Sequence, residues 1–91
     1  MIDMEDNIEN KSEWIEEEGQ LMQIFEFESF NEAIDFVNDV ADLAEEKKHY
    51  PDILIQHNII TIMLSTDDEV TEKDKHMAEE IDKMLDEEGT N

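Results

Sequence analysis

The chain has 91 residues, enough for one small domain with its own core, and it contains no cysteine, which excludes disulfides and thiol chemistry. Twenty-eight acidic residues against six lysines give a formal net charge of −22, which excludes a basic patch for nucleic acid or an anionic membrane. No apolar run is long enough to span a membrane and no segment resembles a signal peptide, so we expect a cytoplasmic protein. The acidity itself fits either a solvated surface suited to high salt or a face that binds a basic protein partner.

The first part of the chain predicts an acidic N-terminus with little pattern over residues 1–12, followed by a β-hairpin. Trp14 begins the first apolar segment, and residues 16–19 are typical of a turn. Residues 21–27 then alternate, with Leu21, Phe25 and Phe27 on one side and Met22 and Ile24 on the other, which predicts a strand.

A helix is predicted next, because Ser29 followed by Glu32 forms a capping box. Its apolar stripe at helical spacing consists of Phe30, Ala33, Ile34, Val37, Val40, Ala41 and Ala44. Phe36 and Leu43 lie on the flank of this stripe, either as the edge of the same core or as a second stripe between subunits. Pro51 cannot continue a helix, so we expect the end near Lys48 or His49.

The second half of the chain repeats the same order of elements. It predicts a strand over 53–56, a tight turn at His57-Asn58, a strand over 59–65 that places Ile60, Ile62 and Leu64 on one face, and a loop over 66–69. Thr71 caps a last helix, with Asp74 at the capping-box position. The core stripe of this helix is Met77, Ala78, Ile81, Met84 and Leu85, and an acidic tail follows over 87–91.

The order β-β-α-β-β-α predicts an α+β domain over residues 13–86, with a four-stranded antiparallel sheet and helices packed on one face. The junction between the first helix and the third strand carries the most suggestive chemistry. His49 follows Glu45 by one helical turn, so the carboxylate can orient the imidazole. Histidine suits acid–base work because its pKa lies near neutrality. A solvated pair at a helix end is the ordinary alternative.

Over roughly residues 13–85 the chain resembles the pterin-4a-carbinolamine dehydratase family. The likeness rests on Trp14, the run 25–33, Phe36-Val37, Glu45, His49, Pro51-Asp52, Asn58, residues 64–66 and residues 71–74. The family pattern is a Glu, three residues, His-His-Pro, an aromatic residue, Thr-His and then an Asp after a loop. Glu45, His49, Pro51, Thr66 and Asp74 match this pattern in order and spacing.

The departures from the family fall among its site residues. Tyr50 stands where the family has its second histidine, His57 where it has an aromatic residue, and Asp67 where it has its third histidine. The loop 68–70 is also shorter by roughly two residues and lacks glycine. The N-terminal helix typical of the family is short or absent.

The resemblance implies a reaction in which water leaves a 4a-hydroxytetrahydropterin to give the quinonoid dihydropterin, without a metal or cofactor. It implies catalytic roles for Glu45, His49, Tyr50 and Asp67. It implies substrate contacts from Trp14, Pro51, Thr66 and Asp74. It also implies a homodimer formed through sheet edges, sometimes paired into a tetramer through helices. Simpler roles are a place in the core for Trp14, a helix cap for Asp74 and, at the departure from the family pattern, a solvated turn for His57.

Two hypotheses follow from the altered site. The first is a slow dehydratase in which His49, Tyr50 and Asp67 share the proton transfers, since losing a well-placed acid or base costs about 10²–10⁴ in rate. The second is a non-catalytic relative that binds a basic protein, similar to the acidic Rubisco assembly factors of carboxysome-containing bacteria.

Overall fold

A four-stranded antiparallel sheet and two helices make up residues 14–89, which are the residues that the computed structural model describes. In chain order the elements are β1 (Ile15–Glu17), β2 (Gln20–Glu26), α1 (Phe30–Lys47), β3 (Asp52–Gln56), β4 (Ile59–Leu64) and α2 (Glu72–Gly89). The spatial order of the strands is β1-β2-β4-β3. The predicted α+β class and the β-β-α-β-β-α order are confirmed. The predictions for residues 1–12 and for an N-terminal helix lie outside the described residues.

The helices cover one face of the sheet, and the side chains of its strands alternate between the two faces as predicted. Leu21 pairs with Leu64 and Phe25 with Ile60, so these side chains lie on the same face. All four are buried, whereas Ile24, on the opposite face, is 60% exposed. The two central strands, β2 and β4, therefore direct their buried apolar side chains toward the helices at every second position, as the period of two in the sequence predicts.

α1 begins as the capping box predicts, but its buried face is turned relative to the predicted stripe. The Oγ of Ser29 accepts a hydrogen bond from the N–H of Glu32 at 3.1 Å. Phe36 and Leu43 are buried, whereas Phe30 is 48% exposed and Ala41 is exposed. The prediction that Phe36 and Leu43 form a second stripe between subunits is therefore wrong. The alternative, which places both residues in the core of the domain, is confirmed.

The rotation of α1 follows from two aromatic residues, Phe25 on β2 and Phe27 directly after it. The ring of Phe36 lies 4.9 Å from that of Phe25 and 5.0 Å from that of Phe27, measured between centroids. Such tilted aromatic pairs contribute roughly 0.5–1.5 kcal/mol beyond the area that they bury. Packing Phe36 against two rings outweighs the burial of Phe30, which lies in the first turn of the helix.

The end of α1 turns the chain sharply toward β3. Lys48 adopts left-handed geometry (φ 56°), and the N–H of His49 donates to the carbonyl of Ala44 at 3.1 Å. This 6→1 bond is the Schellman closure of a helix, here with lysine in place of the usual glycine. Pro51 then enforces extended chain. His49 thus leaves the helical register just before β3 begins.

α2 carries the predicted core stripe and runs further than expected. Met77, Ala78 and Ile81 are buried, and Met84 and Leu85 pack against the core. The helix continues to Gly89, so residues 87–89 of the predicted acidic tail are helical. Asp and Glu are tolerated in a helix, and the first strong breaker is the glycine itself. Across residues 14–89, neither helix is long and apolar enough to cross a membrane.

Two tight turns meet at one end of the sheet. Glu18 and Gly19 connect β1 to β2 with φ of 52° and 80°, and Asp67 and Asp68 follow β4 with φ of 53° and 65°. The predicted turn at 16–19 is therefore narrower, because residues 16 and 17 belong to β1. A Cβ on Gly19 would lie 2.1 Å from the carbonyl oxygen of Asp68. The backbones of the two turns thus touch at a point where only glycine fits.

Candidate active site

A histidine and a carboxylate meet where α1 ends and α2 begins. Nε2 of His49 lies 2.5 Å from Oδ1 of Asp74. The Asp74 side chain is fully buried and that of His49 is 14% exposed. A ring nitrogen this close to a carboxylate oxygen carries the proton and donates it, because two acceptors would repel. Whenever the imidazole is neutral, its second ring nitrogen, Nδ1, is therefore the acceptor.

Asp74 is held by three further donors on its second oxygen. Oδ2 accepts hydrogen bonds from the hydroxyl of Thr66 at 3.0 Å, from the N–H of Thr71 at 2.9 Å and from the hydroxyl of Thr71 at 3.2 Å. The bond from the Thr71 N–H is the helix cap that the sequence predicts. Both oxygens are therefore satisfied, and the carboxylate sits at the positive end of the α2 dipole.

The environment of Asp74 favours its ionised form. Burial by itself raises the pKa of this carboxyl, because a charge loses its hydration. The N–H of Thr71, the ring of His49 and the hydroxyl of Thr66 all donate to the carboxylate and together bring its pKa below the usual value for aspartate. An ionised carboxylate that accepts from Nε2 fixes both the orientation and the tautomer of the histidine.

The carboxylate that contacts His49 is thus Asp74, and the prediction that Glu45 orients this histidine is wrong. The reason is local: Lys48 is left-handed, so the spacing of four residues between Glu45 and His49 no longer places them on one helical face. Glu45 instead accepts a long hydrogen bond from the hydroxyl of Tyr50, at 3.5 Å. Tyr50 is 59% exposed, so its ring lies largely in solvent.

Of the other predicted site residues, some lie near the His49–Asp74 pair and one lies elsewhere. Thr66 contacts Asp74 directly, and Asp67 follows it in an exposed turn. Pro51 is half-buried, two residues after His49. Trp14 packs edge-on against Phe25, with 5.9 Å between ring centroids.

The indole of Trp14 is tied to the middle of α2. Its Nε1 donates to both carboxylate oxygens of Asp82 at 3.2 Å. Asp82 lies eight residues after Asp74, which is about 12 Å along a helix. The contacts of Trp14 therefore assign it to the sheet–helix packing, as the simpler reading of this residue expected.

The pairing of His49 with Asp74 is the feature that sequence reasoning missed. The two residues are 25 positions apart, so no local spacing connects them. The available local signal was Asp74 at a capping position that usually holds Glu. Within residues 14–85, no group of three or more His, Cys, Asp or Glu side chains converges as metal ligands would.

Comparison with known proteins shows which family the chain belongs to. A family model described as pterin 4 alpha carbinolamine dehydratase matches residues 2–84. The chain belongs to this family. The matched region includes His49, Thr66, Thr71 and Asp74, so the hydrogen-bonded group lies within the dehydratase-like part of the chain.

Similar sequences and structures agree with this assignment. A protein of Herpetosiphon aurantiacus named "Putative pterin-4-alpha-carbinolamine dehydratase" is 44% identical over 80 residues, which cover 86% of this chain and 83% of that protein. A protein of the same name from Sulfolobus acidocaldarius is 37% identical over 73 residues, covering 78% and 80% of the two chains.

Two solved structures share the fold. The crystal structure of a transcriptional coactivator/pterin dehydratase from Brucella melitensis superposes with a TM-score of 0.72 at 27% identity, covering 78% of this chain and 80% of that one. A pterin dehydratase-like protein identified as a RuBisCO assembly factor in the alpha-carboxysome gives a TM-score of 0.69 at 21% identity, covering 82% and 89%. The second likeness supports the fold alone.

Proposed function

We propose that this protein dehydrates a 4a-hydroxytetrahydropterin to the quinonoid dihydropterin, at a low rate, with His49 as its main acid–base group. The observation that carries the proposal is the 2.5 Å contact between His49 and a fully buried Asp74, in a chain of the dehydratase family. Buried carboxylates that hold a histidine in one tautomer recur in sites that transfer protons.

The chemistry asks for two proton movements. The C4a–O bond breaks, the leaving hydroxyl takes up a proton and departs as water, and a ring N–H loses a proton. With Nε2 committed to Asp74, Nδ1 of His49 is the atom that accepts the proton from the ring and returns it to the hydroxyl. The Asp74 carboxylate stabilises the imidazolium that exists between these two transfers.

The low rate follows from the residues around His49. Tyr50 and Asp67 stand where the family has histidines, and both are exposed. We assign them the assisting proton transfers, with Glu45 holding the Tyr50 hydroxyl. The absence of a well-placed second histidine costs about 10²–10⁴ in rate. Pro51 and Thr66 would border the bound pterin, because Thr66 donates to Asp74 and Pro51 lies two residues after His49.

A titration with a reduced pterin, run beside a turnover assay, tests the proposal. We expect binding by the wild-type protein, loss of turnover in His49→Ala and a reduction of about 10²-fold in Asp74→Asn, because asparagine does not stabilise the imidazolium. Glu79→Gln is the matched control, since it removes the same charge from an exposed position of α2. No binding at millimolar pterin, or equal turnover in His49→Ala, would contradict the proposal.

A second candidate function is protein binding without catalysis. The net charge of −22 favours it, because a surface with so few cations attracts basic partners and repels acidic ones. The fold shared with the RuBisCO assembly factor is compatible with this function. At 21% identity, however, this similarity supports only the fold. The pterin titration separates the two candidates, since a protein-binding relative has no need of the pterin pocket.

We also propose a homodimer or tetramer in the cytoplasm. The strands β1 and β3 are the two edges of the sheet, and β3 presents five residues for pairing with another strand. The burial of Phe36 and Leu43 removes them as contacts between helices. Light scattering at micromolar concentration in high salt tests this assembly, and a monomer there would contradict it.

A further inference from the structure

The face of the sheet opposite the helices carries an apolar patch, defined here as the open face. The register places on it one side chain from every second position of each strand. Its apolar members are Ile15, Met22, Ile24, Leu54, Ile59 and Met63. Ile15, Ile24 and Leu54 are 54%, 60% and 47% exposed. Within residues 14–89, the core cluster that joins the sheet to α1 and α2 contains none of these six residues.

The charges around the open face are all of one sign in the described residues. Glu17, Glu26 and Asp52 share the face and are exposed. The five lysines of residues 14–89 lie within the two helices or at the end of α1, hence with the helices on the other side of the sheet. The open face is therefore an apolar surface with an acidic border and no cation on it in the part of the chain that the structure describes.

We propose that the open face binds a basic amphipathic helix of a partner protein. An apolar stripe of such a helix covers the exposed isoleucine and leucine side chains, while its lysines or arginines meet the acidic border. The two methionines add side chains that adapt to different apolar partners. This inference deepens the second candidate function and rests on it; the dehydratase proposal does not depend on it.

The dimensions of the open face suit a helix. Four strands spaced about 4.8 Å apart span roughly 15 Å, and a helix with its side chains is about 10–12 Å across. A partner strand would instead add to an edge, where backbone groups are free, and would leave this face uncovered.

Charge also disfavours the other possible occupants. A second copy packed face to face would bring its own Glu17, Glu26 and Asp52 into the same interface, and like charges there oppose association. The chain's own residues 1–13 contain five acidic residues and one lysine, a net charge of 1 − 5 = −4, which the acidic border repels. An anionic membrane is repelled for the same reason.

Calorimetry with a designed peptide tests the proposal on the full chain. The probe is a leucine–lysine peptide of roughly 18 residues, about five turns, with all leucines on one helical face. A scrambled peptide of identical composition is the first control, because it keeps the charge and loses the apolar stripe. At about 0.1 M salt we expect the amphipathic peptide to bind at least tenfold more tightly than the scrambled one.

Two adjacent residues of β3 provide a matched pair of variants. Leu54 lies on the open face and is 47% exposed, whereas Ile55 points to the helix side and is 42% exposed. We expect Leu54→Gln to weaken peptide binding about tenfold and Ile55→Gln to change it less than threefold. Ile24→Gln on the neighbouring β2 should behave like Leu54→Gln. Pterin binding should be unchanged in all three variants, which separates this result from the dehydratase proposal.

Amide shifts in NMR spectra of the wild-type protein supply a test that needs no variant. Perturbations confined to the strands support the proposal, and perturbations confined to the helices overturn it. Equal binding of both peptides, or no binding at about 1 mM, would also overturn it. Two further results would overturn the proposal, because each would show that another occupant covers the open face. One is a tenfold tighter binding after removal of residues 1–13, and the other is a dimer whose interface is the open face.

Discussion

The imidazole of His49 and the carboxylate of Asp74 join the end of one helix to the start of the other. The side chain of Asp74 thus has two roles. It caps α2 by accepting from the N–H of Thr71, and it binds His49, which follows the end of α1. Because the carboxylate is fully buried, it depends on its donors, and each donor is in turn fixed by it. The site and the fold therefore share their stabilising interactions.

Asp74→Asn should lower the free energy of unfolding by about 2 kcal/mol, since it leaves buried donors facing an amide that cannot accept from all of them. Urea denaturation at neutral pH measures the loss. The exposed Glu79→Gln of the same helix should change stability by less than about 0.5 kcal/mol. Equal stabilities of the two variants would show that the buried carboxylate contributes nothing to the fold.

The lowered pKa of Asp74 also predicts a pH dependence. The carboxyl binds its proton more readily in the unfolded chain than in the folded one, so it stabilises the fold at pH values above its ordinary pKa of 3.8. This stabilisation is lost as the pH falls through the lower folded-state pKa. The difference in unfolding free energy between wild type and Asp74→Asn should therefore shrink in acid, and a difference that is constant from pH 7 to strong acid would contradict the assignment. The contribution of the many surface carboxyls to the pH dependence cancels in this comparison, because both proteins contain them.

Gly19→Ala should destabilise the protein by about 1–3 kcal/mol, because a Cβ there would meet the carbonyl of Asp68 at 2.1 Å and the residue is left-handed. Glu18→Gly is the matched control: Glu18 is left-handed as well, and glycine relieves that strain. Thermal unfolding of both variants checks the prediction. A melting temperature for Gly19→Ala at or above that of wild type would mean that the two turns separate without cost.

The sequence was sufficient to predict the elements whose signals are local. Both hairpins, the Ser29 cap and the strand faces rest on spacings of two to four residues, and all are present. The buried face of α1 differs from the predicted stripe because it is set by contacts with Phe25 and Phe27, which lie on β2 and directly after it. The His49–Asp74 pair was missed for the same reason. A left-handed lysine, which no helical spacing anticipates, takes the histidine away from Glu45 and toward α2.

Salt should raise the melting temperature. With a net charge of −22, repulsion between carboxylates opposes the compact state, and the Debye length falls from about 10 Å at 0.1 M to about 3 Å at 1 M. Scanning calorimetry between low salt and 1 M sodium chloride measures the effect. At a pH where many carboxyls are protonated, the same salt step should help less. An unchanged melting temperature at neutral pH would mean that repulsion is not a significant cost to this fold.

Restoring the family's histidines should raise dehydratase activity. Asp67→His places an imidazole directly after Thr66, which contacts Asp74, and histidine tolerates the left-handed geometry of position 67. We expect an increase of at least tenfold, and a further increase when Tyr50→His is added, toward the 10²–10⁴-fold contribution of a well-placed acid or base. Asp68→His, at the next left-handed position of the same turn, is the matched control and should leave the rate unchanged. Turnover of a 4a-hydroxytetrahydropterin measures all four proteins, with His49→Ala as the inactive reference. If the double variant is no faster than wild type and neither binds pterin, the His49–Asp74 pair serves only the fold, and protein binding by the acidic surface becomes the function that the structure supports.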